Sequence, residues 1–241
     1  MVSAARPAPD DDLRGLRRLG GWGAIGSVAL VAVQVATFSV RPPARTTPEV
    51  FALMIDDPVV GLLSLDALYL VNNLAVWLLY LGWAAALRTV SRSGVVLVVG
   101  LGTLQMAAYV ASNPAAEMLT LARAHAAADD AGRTALEAAG EAVLAGWTGT
   151  AFLTYYLLGA VVLLLVARLL HLAPDAPRGS SLWAAAAGAL MLVPSPFGVV
   201  GLVASLASLV PWCGLCLISA RWLLGRSEGP DRETPADHAT A

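Results

Sequence analysis

Residues 182–224 read LWAAAAGALMLVPSPFGVVGLVASLASLVPWCGLCLISARWLL, with no charge before Arg221. A bilayer core of about 30 Å is crossed by roughly 20 helical residues. The stretch therefore holds two spans, and Pro194-Ser195-Pro196-Phe197-Gly198 is the natural place to divide it. The first of the two is short if it ends at Val193, unless it continues through the prolines with a kink. Pro211 lies inside the second. It lacks a backbone donor, so it is expected to kink that span and free the carbonyl of Ala207.

Working outward, four more apolar runs precede this pair, at 20–40, 59–87, 94–111 and 146–170. Almost every charge falls between runs; Arg88 and Arg92 close the second. The whole chain is 58% apolar and 13% charged, with a mean hydropathy of +0.70. Soluble domains carry about 25% charged residues, so half that number could not cover this much apolar surface in water. The expected fold is an all-α, multi-pass membrane bundle of six transmembrane helices, spanning 20–226. Residues 1–19 are expected to form a mobile cytoplasmic tail and 227–241 a disordered one. An Arg-bearing start followed by an apolar run is also the outline of a signal peptide. This run is long for that and lacks a small-x-small site, so a retained helix is expected.

Arginine placement sets the orientation. All fifteen basic residues are Arg, which reads as GC-rich coding rather than function. With the N-terminus inside, the inner ends carry Arg14, Arg17, Arg18, Arg88, Arg92, Arg168, Arg178, Arg221 and Arg226. The outer segments carry Arg41, Arg45, Arg123 and Arg133. Nine against four is the positive-inside bias. Both termini are thus expected in the cytoplasm, with the chain in the cell (inner) membrane.

Residues 113–145 form the one sizeable extramembrane element expected. Asn113 suits a cap and Pro114 the first helical position. A helix over 114–127 should break near Asp129-Asp130-Ala131-Gly132, and Arg133 and Glu137 should pair on a second helix that runs straight into the fourth span. Together they make a short extracytoplasmic helical hairpin.

Few residues carry chemistry. Asp66 is the one acid well inside an apolar run, and a charge at the bilayer centre costs roughly 2.5–3.5 kcal/mol. On helical spacing it shares a face with Tyr69, Asn73, Trp77 and Tyr80, with Asn72 beside them. That stripe either lines a cavity for a polar head group, with Asp66 as acid or base, or forms a hydrogen-bonding seam between helices. Glu117 and Glu141 flank the hairpin. Thr148 and Tyr155 follow Glu141 at seven-residue spacing, so Asp66, Glu117, Glu141 and Tyr155 are the candidates for acid–base work on a lipid. Gln34, Gln105, Thr150 and Thr154 read as interhelical hydrogen bonders, and Gly23, Gly100, Gly159 and Gly188 as close-packing sites.

Trp212-Cys213-Gly214-Leu215-Cys216 has the spacing of a redox loop, but it lies deep in a span with no preceding strand, so both cysteines read as core. The histidines are scattered, and neither a metal nor a cofactor is expected. Net charge of −2 suggests no nucleic-acid partner.

Two stretches carry a family resemblance: Asn113-Pro114-Ala115-Ala116-Glu117-Met118-Leu119, and RTALEAAGEAVLAGWTGTAF over 133–152. They resemble bacterial membrane proteins grouped as domain of unknown function 4386, with an acidic helix pair outside the membrane and an Ala-Gly-Glu segment leading into a span. Asp66 with Asn72 or Asn73 and Tyr80, and the Pro196-Phe197-Gly198 turn, are also similar. The resemblance implies a six-span membrane protein and brings no catalytic residue to any position; Cys213 and Cys216 stand outside it.

Three functions compete on this reading. The leading one is a non-enzymatic membrane protein that binds a lipid or a partner protein. The second is a membrane-embedded enzyme acting on an isoprenoid or lipid by cyclase-like acid–base chemistry, its cation steadied by Tyr69, Trp77, Tyr80 and Tyr155. That enzyme needs Asp66, Glu141 and Tyr155 in one pocket. The third is a small-solute transporter, which needs a polar path across the midplane.

Overall fold

A computed structural model describes residues 11–44 and 46–227. Among them there are ten α-helices and no strand. In chain order these are α1 (Asp11–Val40), α2 (Thr47–Asp56), α3 (Pro58–Ser64), α4 (Ala67–Leu87), α5 (Arg92–Ser112), α6 (Ala115–Ala127), α7 (Asp130–Trp147), α8 (Thr150–Leu172), α9 (Ser180–Leu190) and α10 (Gly198–Ser227). Five stretches are long and apolar enough to cross a membrane: Leu13–Val40, Ala67–Leu87, Arg92–Ala127, Asp130–Leu172 and Gly198–Arg226. Ser180–Leu190 is apolar but short. At 1.5 Å per residue it measures about 16 Å, half a bilayer core.

Two cores hold the molecule. The larger joins α1, α4, α5, α8, α9 and α10 around residues such as Leu79, Tyr80, Trp83, Leu163, Ala184 and Leu215. The smaller gathers α2, α3 and α6 around Val50, Phe51, Met54, Leu65 and Met118. Outside the larger core, bulky apolar side chains point away from protein on α1, α4, α5, α8 and α10: Val33, Val71, Val96, Leu104, Leu157 and Val203 are all more than 50% exposed. A water-soluble monomer rarely displays so much apolar surface. The chain has the build of a membrane protein.

Several expectations change. The N-terminal helix starts at Asp11, so only residues 1–10 of the expected tail lie outside the described residues; 228–241 of the other tail do too. The second apolar run is not one helix: it breaks at Leu65-Asp66 into α3 and α4. Residues 113–145 are not the sole accessory element, because α2 and α3 pack with α6. The signals for α2 and α3 were present. Thr46 and Glu49 form a capping box and Pro48 opens the first turn. The Asp57 side chain accepts from Val60 N ahead of Pro58. Asn113 does accept from Ala115 N, and Asp129 caps α7 through Gly132 N. Glu137, however, meets His125 Nε2 at 3.1 Å, while Arg133 faces Asp130 at 3.7 Å. Nor does α7 run into α8; the helix breaks at Thr148-Gly149. α10 continues unbroken through Pro211. Gly23, Gly159 and Gly188 sit against neighbours, whereas Gly100 faces open space.

Candidate functional site

The break between α3 and α4 builds the site. Asp66 stands in the left-handed region, φ 56° and ψ 26°, the one non-glycine residue to do so among the described residues. A side chain there costs about 1–2 kcal/mol, and Asp tolerates it better than most. The backbone groups released by the break find partners on other helices. Asn113 Nδ2 donates to the Leu65 carbonyl at 2.8 Å, and the Tyr109 hydroxyl to the Asp66 carbonyl at 3.4 Å. From α1, Gln34 Nε2 donates to Asp66 Oδ1 at 3.0 Å and to the Leu63 carbonyl at 3.4 Å. The carboxyl thus receives one hydrogen bond, from Gln34, while Asn113 and Tyr109 satisfy the backbone carbonyls at the break.

Asp66 lines a cavity of about 230 Å³ among α1, α4, α5, α8, α9 and α10. Its walls are aromatic. The Tyr109 ring lies 6.1 Å from Tyr69 and 5.0 Å from Tyr155. Tyr155 meets Tyr156 edge-on at 5.6 Å, and Phe152 lies 5.2 Å from Tyr156. Tyr156 is tied to Ser205 of α10 by a 2.8 Å hydroxyl contact. Deeper in, the Tyr80 hydroxyl donates to Gln105 Oε1 at 3.0 Å. The absence of a side chain at Gly102 lets the Tyr80 ring in; a β-carbon there would lie 2.4 Å from Tyr80 Cδ2.

Two cavity residues carry buried oxygens without a hydrogen-bond partner, Gln34 Oε1 and Asn72 Oδ1. Such atoms are costly in a low-dielectric interior unless a polar guest meets them. At the other extreme, Val35 and Leu206 also line the cavity yet are 46% and 56% exposed. The cavity wall therefore reaches the outer apolar surface between α1 and α10.

The structure brings together Asp66, Tyr69, Asn72, Tyr80 and Tyr155 from the sequence-derived set. It leaves Asn73 and Trp77 out: Asn73 is buried away from the cavity with both amide atoms unpartnered, and Trp77 Nε1 donates to Thr103 at 3.1 Å. The cavity face of α4 runs through 69, 72, 76 and 80, turned from the expected stripe because Asp66 is no longer in the helix. Glu117 and Glu141 are exposed and do not line the cavity. The expected alignment of Glu141 with Tyr155 needed one continuous helix, and the break at Thr148-Gly149 removes it.

Gln34 and Gln105 bond across helices as expected and also line the cavity, while Thr154 bonds back to Thr150 within α8. Tyr109, Phe152 and Tyr156 were missed. Phe152 and Tyr156 share one face of α8 with Tyr155 at i, i+3 and i+4 spacing, a signal the sequence carries, and Tyr109 joins them only through the packing of α5 on α8. Cys216 is buried and Cys213 half-buried; neither is in a disulfide. Among the described residues no three His, Cys, Asp or Glu side chains gather as a metal site.

Chemically, the cavity offers one carboxyl group, two carboxamides with spare acceptors, and a ring-lined wall. The phenols of Tyr69 and Tyr155 line it with Asp66, while Glu141, the second carboxylate that the acid–base reading needs, does not. No protein-family model matches the chain, and neither a curated protein nor a solved structure is significantly similar to it.

Proposed function

We propose that this is a non-enzymatic protein of the cell (inner) membrane that binds an amphiphilic lipid-like molecule in the cavity beside Asp66. One observation carries the reading. The polar end of the cavity holds buried Gln34 and Asn72 and half-buried Asp66, while its apolar wall opens toward the hydrocarbon at Val35 and Leu206. A molecule with a polar head and an apolar tail matches that gradient, and binding pockets of this build are mostly apolar with a few placed polar groups.

The reading includes six crossings, the fifth made by α9 with residues 191–197. Cavity residues come from the C-terminal parts of α1, α5 and α9 and from the N-terminal parts of α4, α8 and α10. That alternation suits a chain that passes up and down. The arginine distribution then puts both termini in the cytoplasm, and α2, α3 and the α6–α7 hairpin on the outer face. The likeness to the domain of unknown function 4386 proteins fits the same architecture. The transporter alternative is less favoured, because away from the cavity the centre is filled by Leu79, Val166, Leu215 and Leu223.

Native mass spectrometry of protein taken up in maltoside micelles tests the binding. The unmodified chain should carry a bound amphiphile of defined mass. Ser208→Phe, which puts a ring into the cavity, should lose it while remaining monodisperse. Equal retention by both proteins would contradict the reading.

A further inference from the structure

The cavity's charge and its walls define the head group more closely; this rests on the binding reading above. Among the described residues Asp66 is the single charged one lining the cavity, with no Arg or His beside it. Its one hydrogen-bond donor in the structure is the neutral amide of Gln34. Around it stand Tyr69, Tyr109, Tyr155, Tyr156 and Phe152, linked ring to ring at 5.0 to 6.4 Å. A carboxylate in an apolar setting without a counter-charge is unfavourable alone and strongly favours a cationic partner. Aromatic faces add to this, since the ring quadrupole attracts a positive group, and quaternary ammonium ions are held by such cages.

We propose that the cavity is selective for single-tailed cationic amphiphiles, with an amine or quaternary ammonium head between Asp66 and the tyrosine wall. The tail leaves between α1 and α10 along Val35 and Leu206. Gln34 and Asn72 line the same cavity, each with a carboxamide oxygen that has no hydrogen-bond partner, and such acceptors suit a positive or hydrogen-donating head. An anionic head would meet the Asp66 carboxylate with nothing to offset it.

Quenching of tryptophan fluorescence, with Trp212 in the cavity wall, measures the preference in maltoside micelles. Three probes are compared: tetradecyltrimethylammonium, tetradecanol and tetramethylammonium. The unmodified protein should bind the tailed cation at least tenfold more tightly than the alcohol. It should bind tetramethylammonium more weakly still, because the tail is missing. Asp66→Asn should bring the cation down to the level of the alcohol without weakening the alcohol. Tyr155→Leu should weaken the cation several-fold and the alcohol little, which carries the test should Asp66→Asn fail to fold.

Equal binding of cation and alcohol by the unmodified protein, or an undiminished preference in both variants, would overturn the cationic head group and leave the cavity reading intact. Binding of tetramethylammonium as tight as that of the tailed cation would overturn the amphiphile. Binding of none of the three would overturn the cavity reading itself.

Discussion

The two ends of the bundle are built on opposite plans. At the cavity end, aromatic rings and carboxamides hold the helices apart around a space of about 230 Å³. At the other end, glycines draw α1 and α4 into backbone contact. A β-carbon at Gly82 would lie 2.8 Å from the Gly20 α-carbon, and one at Gly23 would lie 2.5 Å from the Ala75 carbonyl oxygen. Trp83 fills the gap beside them and donates to Ser219 at 3.0 Å, and Arg226 pairs with Asp175 where α10 ends. Helices in lipid gain little from apolar burial against one another, so close approach of small residues is what holds them. The contrast teaches that the bundle is clamped at one end so that it can remain open at the other.

Overfilling the clamp should have the largest effect. Gly82→Leu drives a side chain into the α1 backbone, which cannot yield as a side-chain tip would. We expect a loss of about 3 kcal/mol or more, seen as a large fall in Tm in micelles or as loss of monodisperse protein. An unchanged Tm would break the comparison. Gly102→Ala acts at the open end, where its methyl meets only the Tyr80 ring. The ring can tilt, so about 1–2 kcal/mol is expected, with the Tyr80–Gln105 bond lost.

A smaller effect probes the helix break itself. Asp66→Gly and Asp66→Ala both remove the carboxyl, but only Ala keeps a β-carbon in the left-handed region. The Gly variant should be the more stable of the two by about 1 kcal/mol in matched unfolding measurements, and both should bind the cationic amphiphile more weakly than the unmodified protein. Smallest of all is the pair between α6 and α7. His125 and Glu137 are partly exposed, so Glu137→Gln should change stability by less than about 1 kcal/mol. A larger loss would mean that the accessory helices depend on this contact more than on their apolar core.

The apolar runs and the charges between them made the helical membrane architecture legible, and the expected break near Asp129 is present, whereas Pro114 takes the cap position rather than the first helical one and α6 starts at Ala115. The site was legible in part. Asp66 stood out as a lone acid, and Tyr69, Asn72, Tyr80 and Tyr155 came with it. The break at Leu65-Asp66 has no local signal: no glycine or proline marks it, and its partners, Gln34, Tyr109 and Asn113, lie about 30 to 50 residues away in sequence. A helix drawn straight through Asp66 therefore assigned Asn73 and Trp77 to the wrong face. Tyr109 escaped because periodicity within one helix does not reveal which ring meets it on a neighbour, whereas Phe152 and Tyr156 were readable from their i, i+3, i+4 spacing with Tyr155. The capping box at Thr46 and Glu49 was readable and would have placed α2.

The open side of the bundle can be tested directly with a tetradecyl amphiphile bearing an ammonium head and a diazirine on its tail, activated in vesicles containing the protein. The account predicts adducts concentrated in the peptides that carry Val35 and Leu206, suppressed by excess tetradecyltrimethylammonium. Labelling spread evenly over exposed residues such as Val96, Leu104 and Leu157, and indifferent to that competitor, would contradict it.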